Sequence, residues 1–143
     1  MNIRAAIRDL ERIAPPDLAD PMDEGRIGLI IERREEIERI GCALDATPAV
    51  AESAVLSSID LLVVHHTPLF TPTTSVRGFL ARAVRPLLTG GINLYVMHTN
   101  FDRARGGIND TLAGLLGLRN VEPLSMGCIG DATLPLAEMV RRL

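Results

Sequence analysis

The chain has 143 residues, a length that suits one domain with its own core, and 47% of them are hydrophobic against 23% charged, which excludes a disordered polar chain. Its formal net charge of -3 arises from interspersed Arg, Asp and Glu with no long run of one sign, so no nucleic acid and no membrane surface is expected as a partner. With no Trp, one Tyr and three Phe, it lacks the stacking platforms that single-strand binders use.

In chain order, Met1 to Arg8 interrupts its apolar positions with charge, which argues against a signal peptide or a membrane span and predicts a cytoplasmic location. Ile3, Ala6, Ile7, Leu10 and Ile13 recur at helical spacing behind an Asn2 cap, and Pro15-Pro16 stops the pattern. Residues 15–25, rich in Pro, Asp and Glu, read as a loop into an apolar strand at 27–31, followed by a charged turn at 32–36. Ile37 to Leu44 is strand-like, Thr47-Pro48 is an N-cap with proline at the first helical position, and Leu61 to Val64 is a second apolar strand. That succession is a β-α-β crossover. A helix over Val76 to Leu88, which Pro86 should end or kink and Gly90-Gly91 should close, leads into a strand over Ile92 to Met97. Two β-α-β units with near-continuous apolar strands predict an α/β fold, with a mostly parallel sheet and helices on both faces.

Beyond His98 the pattern predicts a polar loop, a helix over Ile108 to Leu116, a weaker strand-turn segment through Gly127 to Gly130, and an amphipathic helix over Leu134 to Leu143. The last helix stops without a cap or polar tail, so residues 1–143 are expected to form a single α/β domain that is the N-terminal part of a longer fold. Cys42 and Cys128 fall outside any C-x-x-C spacing, and both are expected to be structural, Cys42 within an apolar run.

Three strands end in polar residues: Asp45 after the first, His65-His66 after the second and His98 after the third. In a parallel sheet these ends share one edge, where open α/β folds place their ligand sites. The chain contains three histidines, and all lie at those ends. Adjacent strand residues point to opposite faces, so His65 and His66 can grip one ion only where the backbone turns; otherwise each serves one of two ions. Two metals about 3.5–4 Å apart, bridged by a carboxylate and water, are a common hydrolytic arrangement. Asp102, four residues past His98, can return a carboxylate to the same edge. Neutral imidazole suits Zn, Fe, Ni or Cu, and added carboxylates admit Mn. Gly106-Gly107 before Ile108 reads either as an anion-holding helix entry or as plain turn geometry. There is no Walker loop, dinucleotide fingerprint or nucleophile elbow, and Ser53, Ser57, Ser58 and Cys42 lack a placed base.

Gly28-Leu29, Ala43-Leu44-Asp45-Ala46-Thr47, Val63-Val64-His65-His66 with Pro68-Leu69-Phe70, and His98-Thr99-Asn100-Phe101-Asp102 with Gly107-Ile108-Asn109-Asp110 occur in that order. The ordered set resembles the Nif-three-like proteins (NGG-one-interacting factor type, labelled GTP cyclohydrolase I type 2). The resemblance implies a two-metal centre with His65, His66 and Asp102 as ligands and His98 close by, either binding directly or supporting another ligand. It also implies a ring-shaped homo-oligomer, typically a hexamer built from dimers. Thr67 stands where many members read His-His-Pro, and the C-terminal segment that supplies a His-x-x-x-Glu pair to the same metals is absent. From these readings we expect a dinuclear-metal-binding protein, a metal-dependent hydrolase acting on a small nucleotide-like or phosphoester substrate. The alternative is a non-catalytic metal-binding regulatory or interaction module. The Zn, Mn, Fe or Ni ions are expected in an incomplete site that binds weakly or holds part of the pair.

Overall fold

A computed structural model describes all of residues 1–143. Asn2 accepts the Arg4 amide through Oδ1 and opens α1 (Ile3–Ile13). The proline-rich segment behind it forms two single 3-10 turns, Pro16–Leu18 and Pro21–Asp23, before β1 (Gly28–Ile31). β2 (Ile40–Asp45), α2 (Pro48–Leu56) and β3 (Leu61–His66) make the first β-α-β unit, with Thr47 Oγ1 accepting the Val50 amide as the predicted cap. α3 (Gly78–Gly90) and β4 (Asn93–Val96) complete the second.

The sheet order is β1-β4-β3-β2, with β2, β3 and β4 parallel and β1 antiparallel to β4. β1 departs from the parallel pattern because no crossover helix joins it to β2; only the segment 32–39 intervenes, so β1 docks on the far edge of the sheet. Pro86 does not end α3: the helix runs through it to Gly90, and Gly91, with a left-handed φ of 68°, closes it as predicted. Proline deprives the Arg82 carbonyl of its helical partner, and Arg82 lies on the exposed side of α3, where such a loss costs least.

Strand alternation divides the apolar residues into two clusters. Leu62, Val64, Leu94 and Val96 pack with Ala51 and Ala54 of α2 and Val84 and Leu87 of α3. Leu61, Val63, Tyr95 and Met97 pack with Ile3 and Ala6 of α1 and with Ile37. Each fully buried Leu or Val stabilises the fold by about 1.5–3 kcal/mol. The expected cover on both faces is only partial, because Ile40, Cys42 and Leu44 of β2, on the α1 side, stay exposed. They wall an apolar groove of about 420 Å³ shared with Leu10, Ile13 and Met97. The predicted structural burial of Cys42 therefore fails: its thiol lies on the uncovered part of the sheet.

After β4 come α4 (Thr99–Arg103) and α5 (Ile108–Leu115), an antiparallel hairpin of β5 (Arg119–Leu124) and β6 (Gly127–Asp131), and α6 (Leu136–Arg142). No helix is long and apolar enough to cross a membrane.

Candidate metal centre

The three parallel strands end together. Asp45 pairs with His66 across β2 and β3, and Val64 pairs with Val96 across β3 and β4. The Met97 amide still donates to the Val64 carbonyl, but at His98 (φ -106°, ψ -120°) the chain leaves the sheet and winds into α4. Asp102 thus sits in a short helix, not in the predicted loop, with its amide bonded to the His98 carbonyl. That turn brings its carboxylate back over the sheet edge.

Each histidine is anchored through Nδ1. His65 Nδ1 lies 2.8 Å from the Met97 carbonyl oxygen. A carbonyl only accepts, so Nδ1 carries the proton and Nε2 is left bare, 3.6 Å from Asp102 Oδ1. His66 Nδ1 lies 2.7 Å from Asp45 Oδ1, and His98 Nδ1 lies 2.8 Å from Asp23 Oδ1. The same tautomer follows for both, with Nε2 free. Ring centroids are 4.8 Å apart for His65 and His66, 5.0 Å for His65 and His98 and 5.7 Å for His66 and His98. One ligand atom from each ring lies within 4.8 Å of the other two. Phe70, in the loop after β3, stands 6.3 Å from the His98 ring, with the Arg26 guanidinium on Phe70 in turn at 5.1 Å.

Burial favours the neutral form of His65. Burial pushes His65 below its ordinary value, opposed by the Asp102 carboxylate and the Met97 carbonyl and reinforced by His66 and His98. Burial raises the Asp23 carboxyl, but hydrogen bonds from Thr99 and His98 outweigh it and hold Asp23 below the usual carboxylate range. Three imidazoles, each fixed at Nδ1 and with Nε2 left for a ligand, and one carboxylate alongside, are the donor set a divalent ion takes. The residues fit such an ion.

The structure brings His65, His66, His98 and Asp102 to one edge, and Asp45 lies behind His66 as its hydrogen-bond partner. Asp23 was missed. It comes from the proline-rich segment, where an acidic residue looks like any turn former, and its burial to 1% exposure has no local sequence signal. The Gly106-Gly107 entry proves to be turn geometry, since the Gly106 amide donates to Asp110 Oδ2 at 2.7 Å.

Among curated proteins, the GTP cyclohydrolase 1 type 2 homolog of Methanocaldococcus jannaschii is 35% identical over 126 residues, covering 87% of this chain and 51% of the relative. NIF3-like protein 1 of Drosophila melanogaster is 32% identical over 127 residues, covering 86% of this chain and 44% of the relative. The chain spans about half the length of these relatives and matches their N-terminal part. The structure of reduced HcgD from Methanocaldococcus jannaschii superposes with a TM-score of 0.89 at 33% identity, covering 99% of this chain and 58% of that one. The profile of the family described as Duf34/NIF3 (NGG1p interacting factor 3) matches residues 1–143 from end to end, and the chain belongs to that family.

Proposed function

We propose that the chain supplies a divalent-metal centre held by His65, His66, His98 and Asp102, and that this centre serves a metal-dependent hydrolase acting on a nucleotide-like or phosphoester substrate. The observation that carries this reading is that all three imidazoles have Nδ1 tied to a partner, which leaves Nε2 for a ligand, while one ligand atom of each ring lies within 4.8 Å of the other two. When bound, a divalent ion of this kind polarises a phosphoryl or carbonyl oxygen and lowers the pKa of water. The chain's own residues do the rest. Asp102 offers negative charge beside His65 Nε2 to balance the ion, and the Phe70 ring stands edge-on to the His98 ring at 6.3 Å. The nucleotide class is taken from the names of the curated relatives, and a second ion, completing a dinuclear pair, fits the carboxylates Asp102 and Asp45 at the same edge.

The chain is read as a single α/β domain, the N-terminal part of the family fold, working in the cytoplasm as a homo-oligomer, a hexamer by family analogy. The exposed Ile40, Cys42 and Leu44 support association, because apolar sheet surface of this kind is ordinarily covered. One observation favours the alternative, a non-catalytic metal-binding regulatory or interaction module: an open apolar groove reaches His65, while no phosphate-cradling loop does. Turnover of nucleotide and phosphoester panels with added Zn, Mn, Fe or Ni separates the two. Metal-dependent product release abolished by His65→Ala supports the hydrolase; tight metal binding without turnover of any panel member supports the module.

A further inference from the structure

His98 differs from the other two histidines in what holds it. His65 leans on a backbone carbonyl and His66 on the half-exposed Asp45, whereas His98 leans on a carboxylate that is 1% exposed and recruited from 75 residues earlier in the chain. Both oxygens of that carboxylate are committed. Oδ1 faces His98 Nδ1, and Oδ2 accepts the Thr99 amide at 3.1 Å and the Thr99 hydroxyl. Thr99 Oγ1 in turn accepts the Asp20 amide at 2.7 Å, and Arg103 bonds Asp20 Oδ2, so the 3-10 turn carrying Asp23 is docked on α4. Asn100 Oδ1 accepts the His98 amide at 2.9 Å and fixes the backbone from which the ring projects.

An imidazole left to itself carries its proton mainly on Nε2, the nitrogen that must be bare to bind an ion once Nδ1 is tied to Asp23. We propose that Asp23 is a positioning residue that holds the His98 proton on Nδ1 and thereby makes His98 a direct third Nε2 donor of the centre; this rests on the metal reading above. The clamp by Thr99 is what gives Asp23 this power, since a carboxylate with both oxygens engaged cannot turn away from the ring.

Asp23→Asn gives a sharp test because it preserves shape. Thr99 presents two donors to the Oδ2 position, so the amide oxygen must sit there and the NH₂ group must face His98 Nδ1. That geometry inverts the tautomer. In the metal-free protein, ¹⁵N imidazole correlations should show His98 as Nδ1–H in the unchanged chain and as Nε2–H in Asp23→Asn. Co²⁺ titration should show a loss of affinity of about 10- to 100-fold. His98→Ala should lose affinity comparably, with no further loss in the double variant. An Nε2–H majority in the unchanged chain overturns the proposal even if the variant fails to fold, as does unaltered Nδ1–H in Asp23→Asn or additive losses in the double variant. If the unchanged chain binds no Co²⁺, the metal reading itself falls, an outcome the tautomer measurement keeps distinct.

Discussion

The rings of His65 and His66, consecutive residues of β3, lie 4.8 Å apart and are tilted by 55°. Within a regular strand such neighbours point to opposite faces, as Val63 and Val64 do here, one in each apolar cluster. The two histidines escape that rule because they stand at the strand terminus. β4 ends at Val96, so past Val64 the β3 chain keeps its partner on the β2 side only, and both side chains turn into the space above the edge.

From this geometry, His65→Ala and His66→Ala should each weaken Zn²⁺ or Co²⁺ binding by at least the 10- to 100-fold seen for loss of a ligand's supporting partner. Asp45→Ala, which removes the partner of His66, should fall within that range without reaching the loss of His66→Ala. Isothermal titration checks the order; equal affinities for Asp45→Ala and His66→Ala would contradict it.

Stability should fall on acidification in two stages. His65 has a folded pKa below its model-peptide value of 6.5, so the unfolded chain binds the proton first; its contribution is complete above 6.5 and is lost as pH falls through the folded value. Asp23 and Asp60 behave likewise from 3.8 downward. For Asp60, burial raises the carboxyl, but the Glu38 and Arg39 amides, both at 2.9 Å, and Arg34 outweigh it. The melting temperature of metal-free protein should therefore be flat above about pH 7 and drop first below pH 6.5 and again below pH 3.8. His65→Ala should remove the first stage and Asp60→Asn should reduce the second. A melting temperature that rises between pH 7 and pH 5 would oppose this sign.

Gly107→Ala should damage the site from outside it. A Cβ there would fall inside the envelope of the Phe101 carbonyl oxygen and 2.8 Å from that of Ala104, both backbone atoms of α4 and its end. Relief requires α4 to shift, and α4 carries Asp102. A cost of about 1–3 kcal/mol is expected, with weaker metal binding; a variant with unchanged melting temperature and affinity would contradict the placement of α4.

Leu94→Ala, at 0% exposure between α3 and the sheet, should cost about 2–5 kcal/mol. Leu56→Ala, at 86% exposure, should stay within about 0.5 kcal/mol. Urea unfolding of the two variants distinguishes them.

The β-α-β units and the histidines at the strand ends were legible because both depend on local signals, apolar runs, caps and residue type. What was not legible depends on distant pairing. β1 runs antiparallel because its partner is β4, more than sixty positions away in the chain, a choice no window around Gly28 records. α4, five residues reading TNFDR, is too short for helical periodicity to appear. Cys42 lies in an apolar run that ordinarily signals burial, and only the incomplete cover of β2 exposes it. Asp23 shows its role only once the fold carries it to His98.

The central claim is that three histidines converge on one ion. Crystals grown with Zn²⁺ and measured at the zinc edge test it most directly. The account predicts an anomalous peak at roughly 2.0–2.1 Å from Nε2 of His65, His66 and His98, with each Nδ1 still on Met97, Asp45 and Asp23. A peak elsewhere, or none at this edge under saturating Zn²⁺, would contradict it.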